Sequence, residues 1–144
     1  MKDKIDLQKK TEINIWQDDL IQTELIDTKK EKKKKIVLLI NQFANNNDKR
    51  NREQTIKLIN DLVFQEILPS HVIFMNDTVV LARKDSPIES TLNFLYQHEV
   101  IIGISTDSIS QFLAADDKLN KSTVKMSIHQ INATLFSADL VITY

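Results

Sequence analysis

Polar side chains that can bind a small ligand follow three apolar runs of this 144-residue chain. Amide, carboxylate and hydroxyl groups donate and accept hydrogen bonds, so a set of them near one another predicts a ligand-binding site. Asx turns and helix capping are simpler explanations for the two carboxylates, and no catalytic role is assigned to any of the set. The candidate residues are Asn41, Asn76, Asp77, Ser105, Thr106, Asp107 and Ser108.

Structural roles explain the other residues that could bind a metal or take part in catalysis. No two histidines have the spacing of a metal-binding pair, and each is expected at a strand edge or on a helix surface. Ser127 beside His129 suggests a nucleophile and its base, but Ser127 is better explained as a helix cap. The neighbouring carboxylates Asp116 and Asp117 do not face each other on a helix or turn. The three histidines are His71, His98 and His129.

Composition excludes several classes of chemistry. The chain has no Cys, which rules out thiol nucleophiles, persulfide carriers, iron–sulfur ligation and redox CxxC pairs on this polypeptide. Gly103 is its one glycine, so neither of the common glycine-rich phosphate motifs is present. We therefore expect no metal and no cofactor, and an enzyme is less expected than a binding protein.

Charge divides the chain into two parts. Residues 1–35 hold ten Lys against eight acidic residues, and the remainder carries nine basic against twelve acidic residues. The run of lysines near residues 29–35 marks a solvated linker, so we predict an N-terminal arm at 1–34 and one domain at 35–144. The acidic domain argues against nucleic-acid binding. No apolar run spans a bilayer and no signal-peptide pattern is seen, so a cytoplasmic location without membrane binding is expected.

Apolar runs predict the strands that position the candidate residues. The runs at residues 35–41 and 71–75 are continuous instead of alternating, as is typical of strands covered on both faces of a parallel sheet. Residues 100–104 and 139–144 supply a third and a fourth predicted strand.

Helical patterns separate these runs. Apolar residues three or four apart predict an amphipathic helix at residues 52–67. Ser86, with Pro and Glu behind it, predicts the start of a second helix that runs to about residue 99. Ser108 and Ser127 are expected to cap two more, the latter with Met126 and Ile131 as a hydrophobic staple.

This alternation predicts a three-layer α/β domain with a largely parallel sheet of four to five strands. The loops at the carboxyl ends of parallel strands converge on one edge of the sheet. We therefore expect segments 41–47, 76–80 and 105–108 to meet there and to form any site.

The centre of the domain resembles the DsrE-like domain of YedF-type proteins. A strand led by Pro69 ends at Asn76, a Val-x-Leu-Ala segment ends at Ala82, and Ser86 with Pro87 opens the next helix. Residues 135–143 resemble the closing helix and strand of the same family. The resemblance implies a Rossmann-like fold, assembly as a homo-oligomer (trimer or hexamer), and a role in sulfur relay or selenium metabolism.

The family's reactive Cys, expected in the loop after the third strand, is missing here. That loop reads Ser105-Thr-Asp-Ser108, and a hydroxyl cannot carry a transferable sulfur. Thr78 and Val80 also replace the family's usual Gly and Lys. The resemblance thus implies a non-catalytic binding or assembly subunit. Two alternatives stay open: a sulfurtransferase-like protein that acts with the thiol of a relay partner, with an anion held by Ser105, Thr106 and Asp107, or a purely structural subunit.

Overall fold

The computed structural model describes residues 33–43 and 49–144. The predicted N-terminal arm lies outside the described residues except for its last two positions. The division into an arm and a domain therefore stays a prediction.

The domain is built on a five-stranded sheet. The strand order is β4-β3-β2-β1-β5, and every neighbouring pair is parallel. This confirms the predicted α/β class and its parallel sheet. The strands are β1 (Ile36–Ile40), β2 (His71–Phe74), β3 (Ile101–Ser105), β4 (Thr123–Met126) and β5 (Leu140–Thr143).

Helices connect the strands in the described part of the chain. Two 3₁₀ segments accompany them, one directly after α1 and one directly after β2. The α-helices are α1 (Lys49–Asn60), α2 (Glu89–Gln97), α3 (Thr106–Phe112) and α4 (Ile128–Phe136), and the 3₁₀ segments are Asp61–Phe64 and Asn76–Ala82.

The sheet separates two cores because successive residues of a strand point to opposite faces. Leu38, Ile40 and Phe74 lie in the larger core, which also includes buried residues of α1 and α2. Val37 and Ile73 point the other way into a small core beneath α4. Among the described helices, α1, α2 and α3 thus cover one face and α4 covers the other, which is the three-layer arrangement expected.

The first helix differs from its predicted span of residues 52–67. It begins earlier, at Lys49, and its α-helical part ends at Asn60, followed by the 3₁₀ turn to Phe64. Phe64 and Ile67 are 81% and 74% exposed. The prediction was wrong here because the apolar spacing continues past the helix end, where those side chains point away from the core.

Two of the predicted helix starts are displaced. Ser86 does not cap α2, which begins at Glu89; instead its Oγ accepts a hydrogen bond from the N–H of Ile88 within the preceding turn, at 3.3 Å. Helix α3 is capped by Ser105, whose Oγ accepts from the N–H of Ser108 at 3.3 Å. The prediction that Ser108 caps this helix was wrong, because β3 passes directly into α3 at Ser105.

The start of α4 matches its prediction. Ser127 Oγ accepts from the N–H of Gln130 at 3.2 Å, and Gln130 Oε1 accepts from the N–H of Ser127 at 2.8 Å. Met126 and Ile131 flank this capping box and share the small core. The cap is therefore the observed role of Ser127, in preference to a nucleophile paired with His129.

Candidate functional site

The three predicted polar segments begin at the carboxyl edge of the sheet, and Asn76 connects them. Its side-chain Nδ2 donates to the carbonyl oxygen of Asn41 at 3.0 Å and to Asn41 Oδ1 at 2.8 Å. Its backbone N–H donates to Ser108 Oγ at 2.7 Å. Asn76, which follows β2, thus joins the end of β1 to the first turn of α3. We call Asn41, Asn76 and Ser108 the edge latch.

The backbone of Asn76 has a positive φ of 55°. This left-handed conformation raises the free energy of an L-residue that has a Cβ, and Asn is among the residues that tolerate it best. The conformation turns the chain from β2 into the 3₁₀ segment that follows. Asparagine therefore fits this position for two reasons, its backbone tolerance and its amide.

Two further residues close the same loops. Asp77 Oδ1 accepts from the N–H of Phe43 at 3.0 Å, which holds the described end of the segment after β1. Thr78 is fully buried, and its hydroxyl lies 2.9 Å from the carbonyl oxygen of Ile40 and 2.6 Å from that of Met75. Sequence reasoning did not select Thr78 as a site residue. A buried hydroxyl that joins two strand ends has no local signature in the sequence.

The loop after β3 divides into a buried and an accessible part. Ser105 is 1% exposed and its oxygen is occupied by the cap of α3. Thr106 is half-buried and donates to the carbonyl oxygen of Met126 at 3.4 Å. Asp107 is exposed in the first turn of α3. The chemistry open to a ligand on this loop is thus that of Thr106 and Asp107.

Most of the polar groups at this edge of the sheet have hydrogen-bond partners inside the protein. The amide of Asn76, the carboxylate of Asp77 and the hydroxyls of Thr78 and Ser108 are hydrogen-bonded between loops. These hydrogen bonds connect the loops at the carboxyl edge of the sheet and hold them in place. A ligand-binding role for the seven candidate residues stays a prediction.

Two of the other groups considered from the sequence, His98 and Asp117, also have structural partners. His98 ends α2, where its ring packs on Phe94 with centroids 4.1 Å apart. Asp117 Oδ2 accepts from the N–H of Ala114 at 2.8 Å. Within residues 33–43 and 49–144, no three His, Asp or Glu side chains gather as a metal site requires. In the same ranges no helix combines the length and apolar content needed to cross a bilayer.

His71 at the start of β2 predicts a pH dependence of stability. Burial, and then the positive charge of Lys35, lower the pKa of His71 below its ordinary value of 6.5. Below pH 6.5 the unfolded chain therefore binds more protons at this residue than the folded chain does. The contribution of His71 to the free energy of unfolding is therefore expected to be largest above pH 6.5 and to be lost as the pH decreases through the lowered pKa.

Urea unfolding at one pH above 6.5 and one below it measures this effect. His71→Gln removes the titrating group and is expected to reduce the loss of stability at the lower pH. Equal pH dependence in both proteins would contradict the assignment to His71.

Comparison with known proteins identifies the fold. No family model and no curated protein sequence matches the chain. The crystal structure of the ychN protein from E. coli matches 78% of this chain and 100% of its own, with a TM-score of 0.62 and 18% sequence identity. The structure of MTH1491 from Methanobacterium thermoautotrophicum, a protein of unknown function, gives 0.55 and 17% over the same shares.

The fold is DsrE-like. Both matches extend over the whole of the other protein, so they concern the complete domain and not one motif. At this level of identity they establish architecture only.

Proposed function

We propose that this chain is a non-catalytic, DsrE-like subunit of a sulfur- or selenium-relay system, with a binding or assembly role. The observation that carries the proposal is the chemistry of the loop after β3. Ser105, the residue at which β3 ends, has a hydroxyl buried and engaged as the cap of α3. In the proposed role the scaffold of the family is kept, and a capping hydroxyl stands in the loop where the family has its reactive thiol.

A hydroxyl cannot take over from the missing thiol. Ser and Thr hydroxyls are far less acidic than a thiol, so they provide no anion at neutral pH that could attack a sulfane sulfur. Helix N-termini lower the pKa of a thiol and make it reactive. In this chain α3 offers such an N-terminus to a capping hydroxyl instead.

Transfer chemistry would then lie with a partner. In the proposed role the chain associates with copies of itself and with a thiol-bearing relay protein, as the resemblance implies. Two features of the loop disfavour the alternative in which Ser105, Thr106 and Asp107 hold an anion. Ser105 Oγ and the N–H of Ser108 already bond to each other, and the Asp107 carboxylate repels negative charge.

A sulfur-loading assay tests the proposal. The full chain is incubated with polysulfide, and its intact mass is measured without reductant. We expect no gain of a sulfur atom, because no side chain in the protein can displace sulfide from the donor and retain the sulfane sulfur.

Thr106→Cys serves as the positive control. It places a half-exposed thiol in the first turn of α3. The thiolate can attack the terminal sulfur of the polysulfide, whose S–S bond breaks to release the polysulfide shortened by one sulfur, and the Cys keeps the terminal sulfur as a persulfide. The variant is expected to gain sulfur that dithiothreitol removes. Stable, stoichiometric sulfur on the unchanged protein would overturn the proposed function.

A further inference from the structure

Strand β5 is an edge of the sheet with a free side. Within the described residues it pairs with β1 alone. Leu140 donates its N–H to the carbonyl oxygen of Lys35 and Tyr144 donates to that of Leu39, at 3.3 and 2.9 Å. In a parallel ladder the bonds to one neighbour come from alternate residues. The N–H and C=O groups of Val141 and Thr143 therefore point to the outer side of the strand.

Three of the four side chains of β5 are apolar, and all three are unusually exposed. Leu140, Val141 and Ile142 are 49%, 41% and 41% exposed. Natural edge strands are commonly protected by a charged residue, a proline or a bulge. The segment Leu-Val-Ile-Thr has neither a charge nor a proline, so its outer side is suited to pairing with another strand.

An apolar groove continues from this edge. A cavity of about 300 Å³ lies between the sheet and the end of α1, and it opens beside Ile142 and Tyr144. The exposed Ile67 also contributes to its lining. Contiguous exposed apolar surface on a domain of this size is typical of a protein interaction site.

We propose that β5 pairs antiparallel with β5 of a second copy of this chain, about a two-fold axis at Ile142. This names a contact for the assembly part of the proposed function, on which it rests. With Ile142 opposite its own copy, Val141 faces Thr143 of the partner strand and Thr143 faces Val141. Each of these two pairs exchanges both hydrogen bonds, so all four outward groups of each strand are satisfied.

The side chains in this register fit one another. Ile142 meets the same residue of the second copy, and Leu140 lies opposite Tyr144 on the groove face. Aromatic and branched residues are favourable partners across antiparallel strands. The result is one apolar row that continues the groove of one copy into the groove of the other.

The absence of charge in the paired segment is what a contact with a second copy requires. A two-fold contact places each residue near its own equivalent, so any charge at its centre would face a like charge. Leu140–Thr143 carries no charge. Burial, and then the Asp61 carboxylate, raise the pKa of Tyr144, which keeps its phenol neutral. Asp139, just before the strand, accepts from the N–H of Lys35 at 2.7 Å and lies outside the paired residues.

Disulfide cross-linking tests the register. The chain has no Cys of its own, so a single introduced Cys can react only with its equivalent in a second copy. Residues opposite each other in a non-hydrogen-bonded antiparallel pair have Cα atoms about 4.5 Å apart, within the range of a disulfide. Oxidised Ile142→Cys is expected to form covalent dimers at least about tenfold faster than Phe136→Cys, whose exposed position lies off the edge. Equal rates for the two variants would overturn the proposed register.

Charge exchange gives a second, independent readout by light scattering. The unchanged protein is expected to have the mass of a dimer of the 16.7 kDa chain, or of an assembly of such dimers. The Ile142 side chain is half-exposed, so the folded monomer can accommodate Ile142→Lys and Ile142→Glu. Each variant alone is expected to have a smaller mass than the unchanged protein, because like charges meet at the two-fold axis. A mixture of the two variants is expected to restore the larger species. A monomeric wild type, or a mixture that stays small, would contradict the proposal. Neither result bears on sulfur loading, which tests the proposed function separately.

Discussion

Asn76→Ala is expected to lower the free energy of unfolding by about 2–3 kcal/mol. The substitution removes the amide that bonds to Asn41 and leaves an alanine at a φ of 55°. Loss of the hydrogen bonds costs about 1 kcal/mol or somewhat more, and the left-handed backbone adds about another 1 kcal/mol. The midpoint of urea unfolding measures the sum.

Two further variants separate these contributions. Asn76→Gly keeps the backbone conformation without strain and loses the amide, so it is expected to cost less than Asn76→Ala. Asp85→Ala is the matched control, because Asp85 has a similar φ of 65° in an exposed turn. If Asn76→Ala costs no more than Asp85→Ala, the amide adds nothing and the edge latch is not a stabilising unit.

Strands β1 and β2 could be predicted from sequence because burial on both faces leaves a simple signal. Ile36–Ile40 and His71–Phe74 form unbroken apolar runs, and the structure places them in the middle of the sheet. Strand β4 gave no such signal. It lies at an edge and includes the exposed Val124 and Lys125, so its sequence is that of a half-buried segment.

Helix starts were harder to predict because serine can cap from several positions. Ser105 and Ser108 both precede a helix-like pattern, and sequence alone does not show where β3 ends. Once the strand ends at Ser105, its hydroxyl becomes the cap and Ser108 falls within the first turn. Ser108 is then free to accept from Asn76, a contact between residues 32 positions apart.

The candidate site was located by topology and not by its contacts. Parallel strands bring their carboxyl ends to one edge whatever the side chains are, so the meeting of Asn41, Asn76 and Ser108 follows from strand order. Which groups bond to which depends on loop geometry of an ångström or less. That information is absent from local sequence patterns, and this is why Thr78 was missed and the edge latch was not foreseen.

The packing around Gly103 leads to the second large effect. A Cβ at this position would clash with Met126 Sδ and lie 3.1 Å from Met126 Cγ. The backbone of Gly103 has no positive φ, so the glycine is required by space and not by conformation. Gly103→Ala is expected to destabilise the protein by about 1–3 kcal/mol, because the Met126 side chain must move within a packed core.

A double-mutant cycle with Met126→Ala checks this cause by chemical denaturation. Alone, Met126→Ala leaves a cavity in the small core and is expected to cost about 2–5 kcal/mol. With Met126 shortened, alanine at 103 no longer clashes, so the double variant should be less destabilised than the sum by at least about 0.5 kcal/mol. Additive losses would instead place the strain of Gly103→Ala elsewhere.

Met126 also connects this packing to the candidate site. Its carbonyl oxygen accepts the hydroxyl of Thr106, and its side chain lies beside Ile131 at the start of α4. A displaced Met126 therefore disturbs the first turn of α3 together with the small core. Hydrogen exchange at the N–H of Ser108, in the first turn of α3, should consequently be faster in Gly103→Ala, and an unchanged exchange rate would show that the two regions are uncoupled.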